Sequence, residues 1–380
     1  MKKIIIISFS DLKNDPRVNR QIRHLSKRFN VVTLGLKDPE IKGVTFIPVE
    51  HNRDSSFAGK IKNALMLKSR RFQAYFRKTY LLDRTRLYEQ EYDLVLANDV
   101  DSLPLAFERD DGTPVICDCH EYAPLEFAHF FRWRIIYKPY KEFLCTRYLP
   151  RCRHVFTVSQ GIAEAYKENY GILPTVITSA SDYQDLTPSE CKEDQIHLVH
   201  HGGAQIHRKI ENMIEMMNYT DSRFIFNFML VPGDMKYLQS LKKMAQGMSN
   251  VRFLPPLPMT ETIKTINAFD IGVYIKPPVH LNSEMALPNK FFEFIQARLA
   301  VAVSPSPEMA AVVRKYDCGI VTADFSASTM ANALNRLTAE KIRHYKHQSH
   351  GASRELSSEA NMKHLDQVVD RVLSIKKFEE

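Results

Sequence analysis

The sequence predicts an α/β protein with two consecutive doubly wound domains, each built on a parallel sheet covered by helices. Three observations support this. The chain has 380 residues, about twice the usual length of one domain. Short β-branched runs alternate with helix-compatible segments along the whole chain. Residues 170–194 contain two prolines and little periodicity, and we place the linker between the domains there.

In the first domain, a helix is expected over Val18–Phe29, and the other elements are short buried strands. They are Ile4–Ser8, Val31–Leu34, Leu94–Ala97, Val115–Cys117 and Val155–Val158. The second domain repeats the pattern with strands at His197–His200, Phe224–Leu230, Val251–Phe253, Ile271–Ile275, Val301–Val303 and Gly319–Val321. A final helix over Asn361–Lys376 has apolar residues at helical spacing, so it must pack on another element.

The composition is that of a globular protein, with 44% hydrophobic and 25% charged residues. Lys2 and Lys3 before a short apolar run mimic a signal peptide, but the run ends after about five residues. The sequence has no apolar run of eighteen residues, which predicts no membrane span. Six cysteines without paired metal-ligand spacing favour a reducing cytoplasm.

The net charge of +8 belongs to the first half of the chain. Residues 1–180 contain 29 Lys and Arg against 21 Asp and Glu, whereas the remainder is balanced. A polyanion or an anionic membrane surface is therefore a candidate partner of the first half.

Parallel sheets bind ligands at the carboxyl ends of their strands, so we expect a ligand in a cleft between the two domains. The sequence contains neither GxGxxG nor a Walker lysine motif, and it has 13 glycines. A dinucleotide oxidoreductase and a P-loop enzyme therefore have weak support.

Five motifs occur in one order along the chain. They are Asn14–Gln21, Asp118–Glu121, Val158-Ser159, His201-Gly202-Gly203 followed by Arg208, and Leu287–Glu293 at the start of a helix. Together they resemble glycosyltransferases of the GT-B fold, in particular the retaining family four, whose members use nucleotide-activated sugars. The resemblance covers almost the whole chain. It implies a Rossmann-like acceptor domain over 1–180, a Rossmann-like donor domain over 181–360, and a helix over 361–380 that crosses back to the first domain.

The resemblance implies a donor site in the second domain. Glu293 matches the acid that holds the ribose hydroxyls, and a carboxylate accepts two hydrogen bonds from a diol. Arg208 matches the arginine that binds the diphosphate, with Lys209 beside it. Asn289 and Lys290 lie in the first turn of a helix, where free N–H groups can face phosphate. The Lys290 side chain could point at the phosphate or into solvent.

The spacing of the acidic pair departs from the family pattern. Counting back from Glu293, the first acid is expected at Met285, and Glu284 is one place away. Either Glu284 contacts the donor sugar after a shift of the loop, or backbone groups hold the sugar.

The resemblance assigns the acceptor site to the first domain. His120 follows a strand and matches a histidine near the reacting sugar, which makes His120, Arg208 and Glu293 the candidate catalytic residues. Glu121, Arg17 and Arg20 are candidates for acceptor binding. The two arginines could instead cover a helix surface.

Asp99 and Asp101 mimic the metal-binding DxD motif of another architecture. Because they precede a helix, an N-cap and a first-turn acid explain both carboxylates without a metal ion. We therefore expect no metal and no cofactor besides the nucleotide sugar as co-substrate.

Two stretches combine cations and aromatic rings, namely residues 60–86 and 127–140. The first contains nine Lys or Arg against one acid. Such helices can lie in a membrane interface, and the alternative is a solvated helix with a core-facing aromatic stripe. Nucleic acid is not expected as a partner, because the charge is not accompanied by a known reader motif.

The resemblance therefore implies a metal-independent, retaining hexosyltransferase for surface polysaccharide assembly. The cysteines favour the cytoplasm, and the two basic, aromatic stretches indicate either docking on the inner face of the membrane or solvated helices. The acceptor would be a glycan or lipid-linked saccharide, attacked from the front face with help from the leaving phosphate. A hydrolysing nucleotide-sugar epimerase of the same fold and a catalytically silent sugar-nucleotide-binding subunit are the alternatives.

Overall fold

A computed structural model describes residues 1–52 and 56–374, without the side chain of Phe57. These residues form two compact units. The first comprises Met1–Thr178, His280–Asn282 and the chain from Met362 onward. The second comprises Ser179–Val279 and Ser283–Asn361.

The first unit contains a sheet of eight strands among its described residues, in the order β4-β3-β2-β1-β5-β6-β7-β8. Neighbouring strands are parallel, except that β4 runs antiparallel to β3. The strands are β1 (Lys3–Ile7), β2 (Asn30–Gly35), β3 (Thr45–His51), β4 (Tyr80–Leu82), β5 (Leu94–Asn98), β6 (Val115–Cys119), β7 (His154–Thr157) and β8 (Thr175–Val176).

The second unit contains a parallel sheet of six described strands, in the order β11-β10-β9-β12-β13-β14. They are β9 (Ile196–Ala204), β10 (Phe224–Pro232), β11 (Val251–Phe253), β12 (Ile271–Tyr274), β13 (Ala300–Val303) and β14 (Gly319–Val321). In both sheets the strand order reverses beside the first strand, at β1/β5 and at β9/β12. Ligands of doubly wound sheets bind at the carboxyl ends of the strands near such a reversal.

The helices follow in chain order. The first seven are α1 (Pro16–Leu25), α2 (Phe57–Lys68), α3 (Phe72–Thr79), α4 (Arg84–Tyr88), α5 (Leu103–Ala106), α6 (Lys138–Tyr148) and α7 (Gln160–Tyr170). The others are α8 (Glu211–Met216), α9 (Met235–Met244), α10 (Met259–Ile266), α11 (Leu281–Glu284), α12 (Asn289–Gln296), α13 (Pro307–Tyr316), α14 (Ala327–Asn335), α15 (Ala339–Ala352) and α16 (Ser358–Ser374). A π-helical turn, Trp133–Tyr137, leads into α6.

The predicted fold class and all eleven predicted strands are confirmed. The central strands are largely buried, and Ile4–Ile7 of β1 are buried throughout, as its unbroken apolar run indicates. The predicted first helix is shorter in the structure, because α1 ends at Leu25. Three strands were not predicted. β3 contains Pro48 and half-exposed positions, and β4 and β8 have only three and two residues.

The last helix, α16, packs on the first unit. Leu365 and Val369 are buried in the same apolar cluster as Ile4 of β1. Asp366 accepts hydrogen bonds from Arg28 at 2.6 Å and from the His24 imidazole at 2.8 Å. The predicted return of this helix to the first unit is confirmed, while the predicted helical residues 375 and 376 lie outside the described residues.

Candidate functional site

Two cations of the second unit meet beside a glycine at the carboxyl end of β9. Gly202 has a φ of +112°, a conformation that favours glycine. A Cβ atom at this position would lie 3.1 Å from Nζ of Lys290 and 3.3 Å from a terminal guanidinium nitrogen of Arg208. The absence of a side chain on Gly202 therefore gives both cations room on the same side of the strand end.

Lys290 is buried in the first turn of α12, with 7% of its surface exposed. Its Nζ atom lies 3.1 Å from Nε2 of His200, which is also buried. Burial, reinforced by the positive charge of Arg208, holds the pKa of Lys290 well below its usual value. The sequence left open whether this side chain points into solvent, and the structure places it in the interior.

The start of α12 offers further hydrogen-bond donors. Pro288 occupies the N-cap position and supplies no side-chain cap, so the first-turn N–H groups lack that partner. Asn289, the first helical residue, is half-buried. Amide donors at a helix N-terminus next to two cations form an environment suited to a phosphate group.

Glu293, one turn further along α12, lies next to His201 of β9. Their Nε2 and Oε2 atoms are 3.2 Å apart. Burial lowers the pKa of His201 to about 3, with a further contribution from Lys290 and Arg208. Because this imidazole is neutral near pH 7, it does not cancel the charge of Glu293. The carboxylate can therefore accept hydrogen bonds from hydroxyl groups.

Lys209 and Glu284 are on the surface. The Lys209 ammonium lies 3.6 Å from the carboxylate of Glu211, and the Lys209 side chain is exposed while that of Glu211 is half-buried. The Glu284 side chain is exposed, while its backbone carbonyl accepts a 2.8 Å hydrogen bond from the hydroxyl of Ser306.

In the first unit, His120 follows β6 and is surrounded by acids. Its Nδ1 atom lies 3.4 Å from Asp99, and its Nε2 atom lies 3.6 Å from Asp118 and 3.1 Å from Oδ1 of Asn98. Burial alone would lower the pKa of His120, but the charges of Asp99 and Asp118 outweigh it and raise the pKa to about 9. At neutral pH the imidazolium is therefore a hydrogen-bond donor rather than a base.

Arg17 occupies a different position from the acceptor contact predicted from the sequence. It is 8% exposed, and its Nε and Nη2 atoms donate to the two carboxylate oxygens of Asp118 at 2.8 and 2.7 Å. Its remaining nitrogen donates to the carbonyl oxygens of Ile177 and Thr178. These contacts take up the guanidinium group inside the unit, so Arg17 positions Asp118, which in turn faces His120.

Arg20 and Glu121 lie nearer the surface. Arg20 is half-buried on α1, and Glu121 is exposed directly after His120. The carboxylate of Glu121 accepts a 3.1 Å hydrogen bond from the side-chain amide of Asn282.

The predicted helix-capping role of Asp99 is wrong. Asp99 stands at the N-cap position but makes no capping hydrogen bond with its side chain. Its carboxylate instead accepts the backbone N–H of His120 at 3.0 Å, and its φ of +59° is strained for a residue with a side chain. Asp101 forms an ion pair with Lys141 of α6.

Several residues of these two clusters were not among the residues predicted to form the site. His200 was not named, and His201 was named only within the motif His201-Gly202-Gly203; their position before the glycine pair of β9 was the available signal. Lys141 and Glu126 form an ion pair at 3.0 Å, and Lys141 also pairs with Asp101. No sequence motif indicated these pairs, because their members are far apart in sequence. Among the described residues, His, Cys, Asp and Glu side chains form no group of three suited to a metal ion.

Comparisons with known proteins agree with this architecture. Residues 17–182 match the profile of Glycosyltransferase Family 4. A search of curated proteins gave no match.

Several solved structures share the fold over nearly the whole chain. A sucrose-phosphate synthase from Thermosynechococcus elongatus has a TM-score of 0.72 at 14% identity, with 98% of this chain and 100% of that chain covered. HepE from Anabaena, in complex with UDP and glucose, has a TM-score of 0.66 at 13% identity, with coverages of 98% and 100%. WaaG, a glycosyltransferase involved in lipopolysaccharide biosynthesis, has a TM-score of 0.64 at 12% identity, with coverages of 94% and 98%.

Proposed function

We propose that the chain is a GT-B glycosyltransferase of family 4, because residues 17–182 match the profile of that family. The donor is a nucleoside diphosphate sugar, and the sugar is transferred with retention of its anomeric configuration to a glycan or a lipid-linked saccharide. We place this reaction in the assembly of a cell-surface polysaccharide.

The observation that carries the proposal is the meeting of Arg208 and Lys290 beside Gly202, with Glu293 one helical turn away. The nucleoside diphosphate gains negative charge as the glycosidic bond breaks, so two cations beside it stabilise the transition state more than the ground state. Glu293 would hold the ribose hydroxyls. These cations supply the positive charge, so we expect activity without a metal ion.

In the first unit, we assign His120 to the sugar being transferred. As an imidazolium it donates a hydrogen bond to a sugar hydroxyl and adds positive charge next to the reacting centre. Asn289 and Glu284 remain candidates for donor binding, and Arg20 and Glu121 for acceptor binding, whereas Lys209 is exposed beside Glu211 and is left out of the donor site.

A thermal-shift panel of nucleoside diphosphates and their sugars tests the donor site, because a bound nucleotide stabilises the folded form by mass action. UDP and UDP-glucose are tested first, since HepE is a structural neighbour in complex with UDP and glucose.

We expect Arg208→Met to lower kcat/KM by about 100- to 1,000-fold, the usual range for removing one preorganised hydrogen-bond donor. Its matched control is Lys209→Met, the exposed neighbouring cation, and equal losses in the two variants would contradict the assignment.

Product analysis separates the alternatives. A hydrolysing epimerase would release sugar without an acceptor, and a silent binding subunit would bind nucleotide without turning over any donor. Transfer to a saccharide acceptor with retention supports the proposal over both.

We further propose that the enzyme works on the cytoplasmic face of an anionic membrane. All six cysteines, each in the described part of the chain, are free thiols, which suits a reducing compartment. The described residues include no helix with the length and apolar character needed to cross a bilayer. Attachment would therefore be peripheral.

The candidate membrane surface lies on α2 and the segment before α6. Ile61 and Leu65 are 45% and 61% exposed and share one face of α2, which contacts the Trp133–Tyr137 turn. Phe130 and Phe131 are 58% and 66% exposed just before that turn. Exposed cations accompany these apolar side chains, namely Lys60, Lys62, Lys68, Arg132 and Arg134. The apolar side chains can insert into the bilayer interface, and the neighbouring cations can bind lipid phosphate groups. This combination favours binding to anionic lipid.

Co-sedimentation with phosphatidylglycerol vesicles, compared with phosphatidylcholine vesicles, tests this surface. We expect binding to the anionic vesicles, and weaker binding for the double variant Phe130→Ser, Phe131→Ser. Leu173→Ser removes an equally exposed apolar side chain elsewhere in the first unit and should have no effect. Equal binding to the two vesicle types would refute the membrane role.

A further inference from the structure

The first unit contains a cavity of about 420 Å³ that the donor chemistry does not use. Ligand pockets for small molecules commonly have about 300–1,000 Å³. The lining comes largely from segments that follow strand ends, including Phe9 after β1 and Asp101 after β5. The cavity therefore opens at the carboxyl edge of the sheet, beside the reversal of strand order where such sheets bind ligands.

Aromatic rings form most of its wall. The rings of Trp133 and Tyr137 are stacked with centroids 5.2 Å apart, and Phe127 meets Trp133 edge-on at 4.9 Å. On another part of the lining, Phe9 and Tyr80 stack at 3.8 Å. An aromatic lining of this kind suits the C–H face of a pyranose, which packs on aromatic carbon while its hydroxyls meet polar groups.

Polar groups complete the lining. Lys141 is paired with both Asp101 and Glu126, which gives two carboxylates to one ammonium. Each carboxylate keeps an oxygen that can accept a hydrogen bond from a hydroxyl group. The indole N–H of Trp133 and the hydroxyl of Tyr140 are buried and have no hydrogen-bond partner among the described residues. Unpaired buried donors are costly, so they indicate a ligand that supplies acceptors.

The charge balance restricts the ligand. With Asp101 and Glu126 against Lys141, the cavity carries an excess of negative charge. Burial would lower the pKa of Lys141, but the two carboxylates outweigh it and hold the pKa well above its usual value, so the ammonium persists. A uronic acid or a sugar phosphate would be repelled, whereas a neutral sugar would not.

We propose that this aromatic cavity binds an uncharged pyranose ring of the acceptor, with its C–H face on Trp133 and Tyr137 and its hydroxyls on Asp101 and Glu126. This inference rests on the proposed glycosyltransferase function and specifies its acceptor. It replaces Arg17 as the expected acceptor contact.

The protein carries its own reporter, because Trp133 is the single tryptophan of the chain. We would titrate the full chain with methyl glucoside, methyl galactoside and methyl N-acetylglucosaminide while recording Trp133 emission. Glucuronate, the acyclic polyol sorbitol and UDP serve as comparison ligands. We expect a saturable emission change with at least one neutral pyranoside, weaker binding of glucuronate, and no saturable change with sorbitol or UDP.

Two variants sharpen the test. Tyr140→Phe removes one hydroxyl and should weaken the pyranoside that binds while the protein stays folded. Asp101→Asn removes one negative charge from the cavity and should bring glucuronate closer to the neutral sugars. Asp38→Asn, at an exposed position outside the lining, should leave both ligands unchanged.

A lack of saturable response to all three neutral pyranosides would overturn the inference, as would glucuronate binding equally well. The nucleotide thermal-shift panel on the same sample separates this failure from failure of the proposed function. Stabilisation by a nucleoside diphosphate without any sugar response would reject the cavity alone, whereas loss of both responses would reject the function as well.

Discussion

The Nζ atom of Lys290 lies 3.1 Å from Nε2 of His200, and Nδ1 of the same imidazole lies 2.9 Å from the carbonyl oxygen of Val273. A carbonyl oxygen can only accept, so Nδ1 carries the proton and Nε2 accepts from the lysine. Burial, with the charge of Lys290 beside it, keeps the pKa of His200 well below its usual value. The free site thus holds a buried amine whose charged form is disfavoured by burial and by Arg208 more than the charge of Glu293 favours it.

Donor binding should therefore take up a proton. A diphosphate next to Lys290 favours the ammonium form and raises the pKa of Lys290 from its depressed value in the free protein. Since the bound state holds more protons, nucleoside diphosphate affinity should fall as pH rises above the depressed pKa of free Lys290. Calorimetry of UDP binding in buffers of different ionisation enthalpy measures the uptake.

Variants at this lysine provide the control. Lys290→Met should lower UDP affinity by about 10- to 100-fold, the range expected for a lost charged hydrogen bond, and should abolish the proton uptake. Lys209→Met, which removes the exposed cation paired with Glu211, should keep the uptake. A binding enthalpy that does not depend on the buffer in the parent protein would contradict this account.

Gly202→Ala should weaken nucleotide binding by displacing the ends of Lys290 and Arg208. The added methyl group would stand 3.1 Å from Nζ of Lys290 and 3.3 Å from Arg208, closer than most such contacts. The positive φ adds about 1–2 kcal/mol of backbone strain. Gly247→Ala shares that strain at a φ of +86° but meets only open space. If thermal-shift titrations give both variants the same affinity for UDP, Gly202 is needed for the backbone conformation and not for the space that it leaves to Lys290 and Arg208.

The pH dependence of stability should reveal the acids around His120. The pKa of His120 is about 9 in the folded protein and about 6.5 in an unfolded chain. Its stabilising contribution is thus fully present below pH 6.5 and disappears as pH rises through 9. Asp99→Asn should flatten this decline, because it removes one of the two charges that raise the pKa. Chemical unfolding at several pH values, followed by the emission of Trp133 in the first unit, measures the free energy of unfolding against pH. The slope of this dependence is then compared between the parent protein and the Asp99→Asn variant. Equal slopes for the parent and the variant would count against the coupling.

The sequence predicted the strands well because central parallel strands are short, β-branched and buried on both faces, as in β1. It failed for β3, where Pro48 and exposed residues resemble a loop, and for β4 inside the basic stretch. The signal of a strand weakens when one face is exposed or the strand is very short.

The candidate residues were chosen by motif, but their surroundings depend on distant pairings. Lys290 becomes buried because the start of α12 packs beside the end of β9, 90 positions earlier in the chain. Arg17 is occupied because Asp118, 101 positions away, reaches it from β6. Local periodicity carries no information about such distant contacts. Arg17 was therefore predicted to bind a ligand, although its partner in the structure is the side chain of Asp118.

The pairing of Arg17 with Asp118 predicts a loss of stability for Arg17→Met. Both side chains are buried, and removal of the guanidinium would leave the Asp118 carboxylate with Gln21 and His120 as its remaining partners. Breaking one side of a buried ion pair usually costs about 3–5 kcal/mol. Urea unfolding followed by fluorescence measures the loss, and Arg23→Met on the exposed side of the same helix should stay within about 0.5 kcal/mol of the parent. If Arg17 instead contacted the acceptor directly, Arg17→Met would leave the free energy of unfolding unchanged and raise the KM for the acceptor. A solvent-facing guanidinium group is not paired with a buried carboxylate, so its removal would not destabilise the fold.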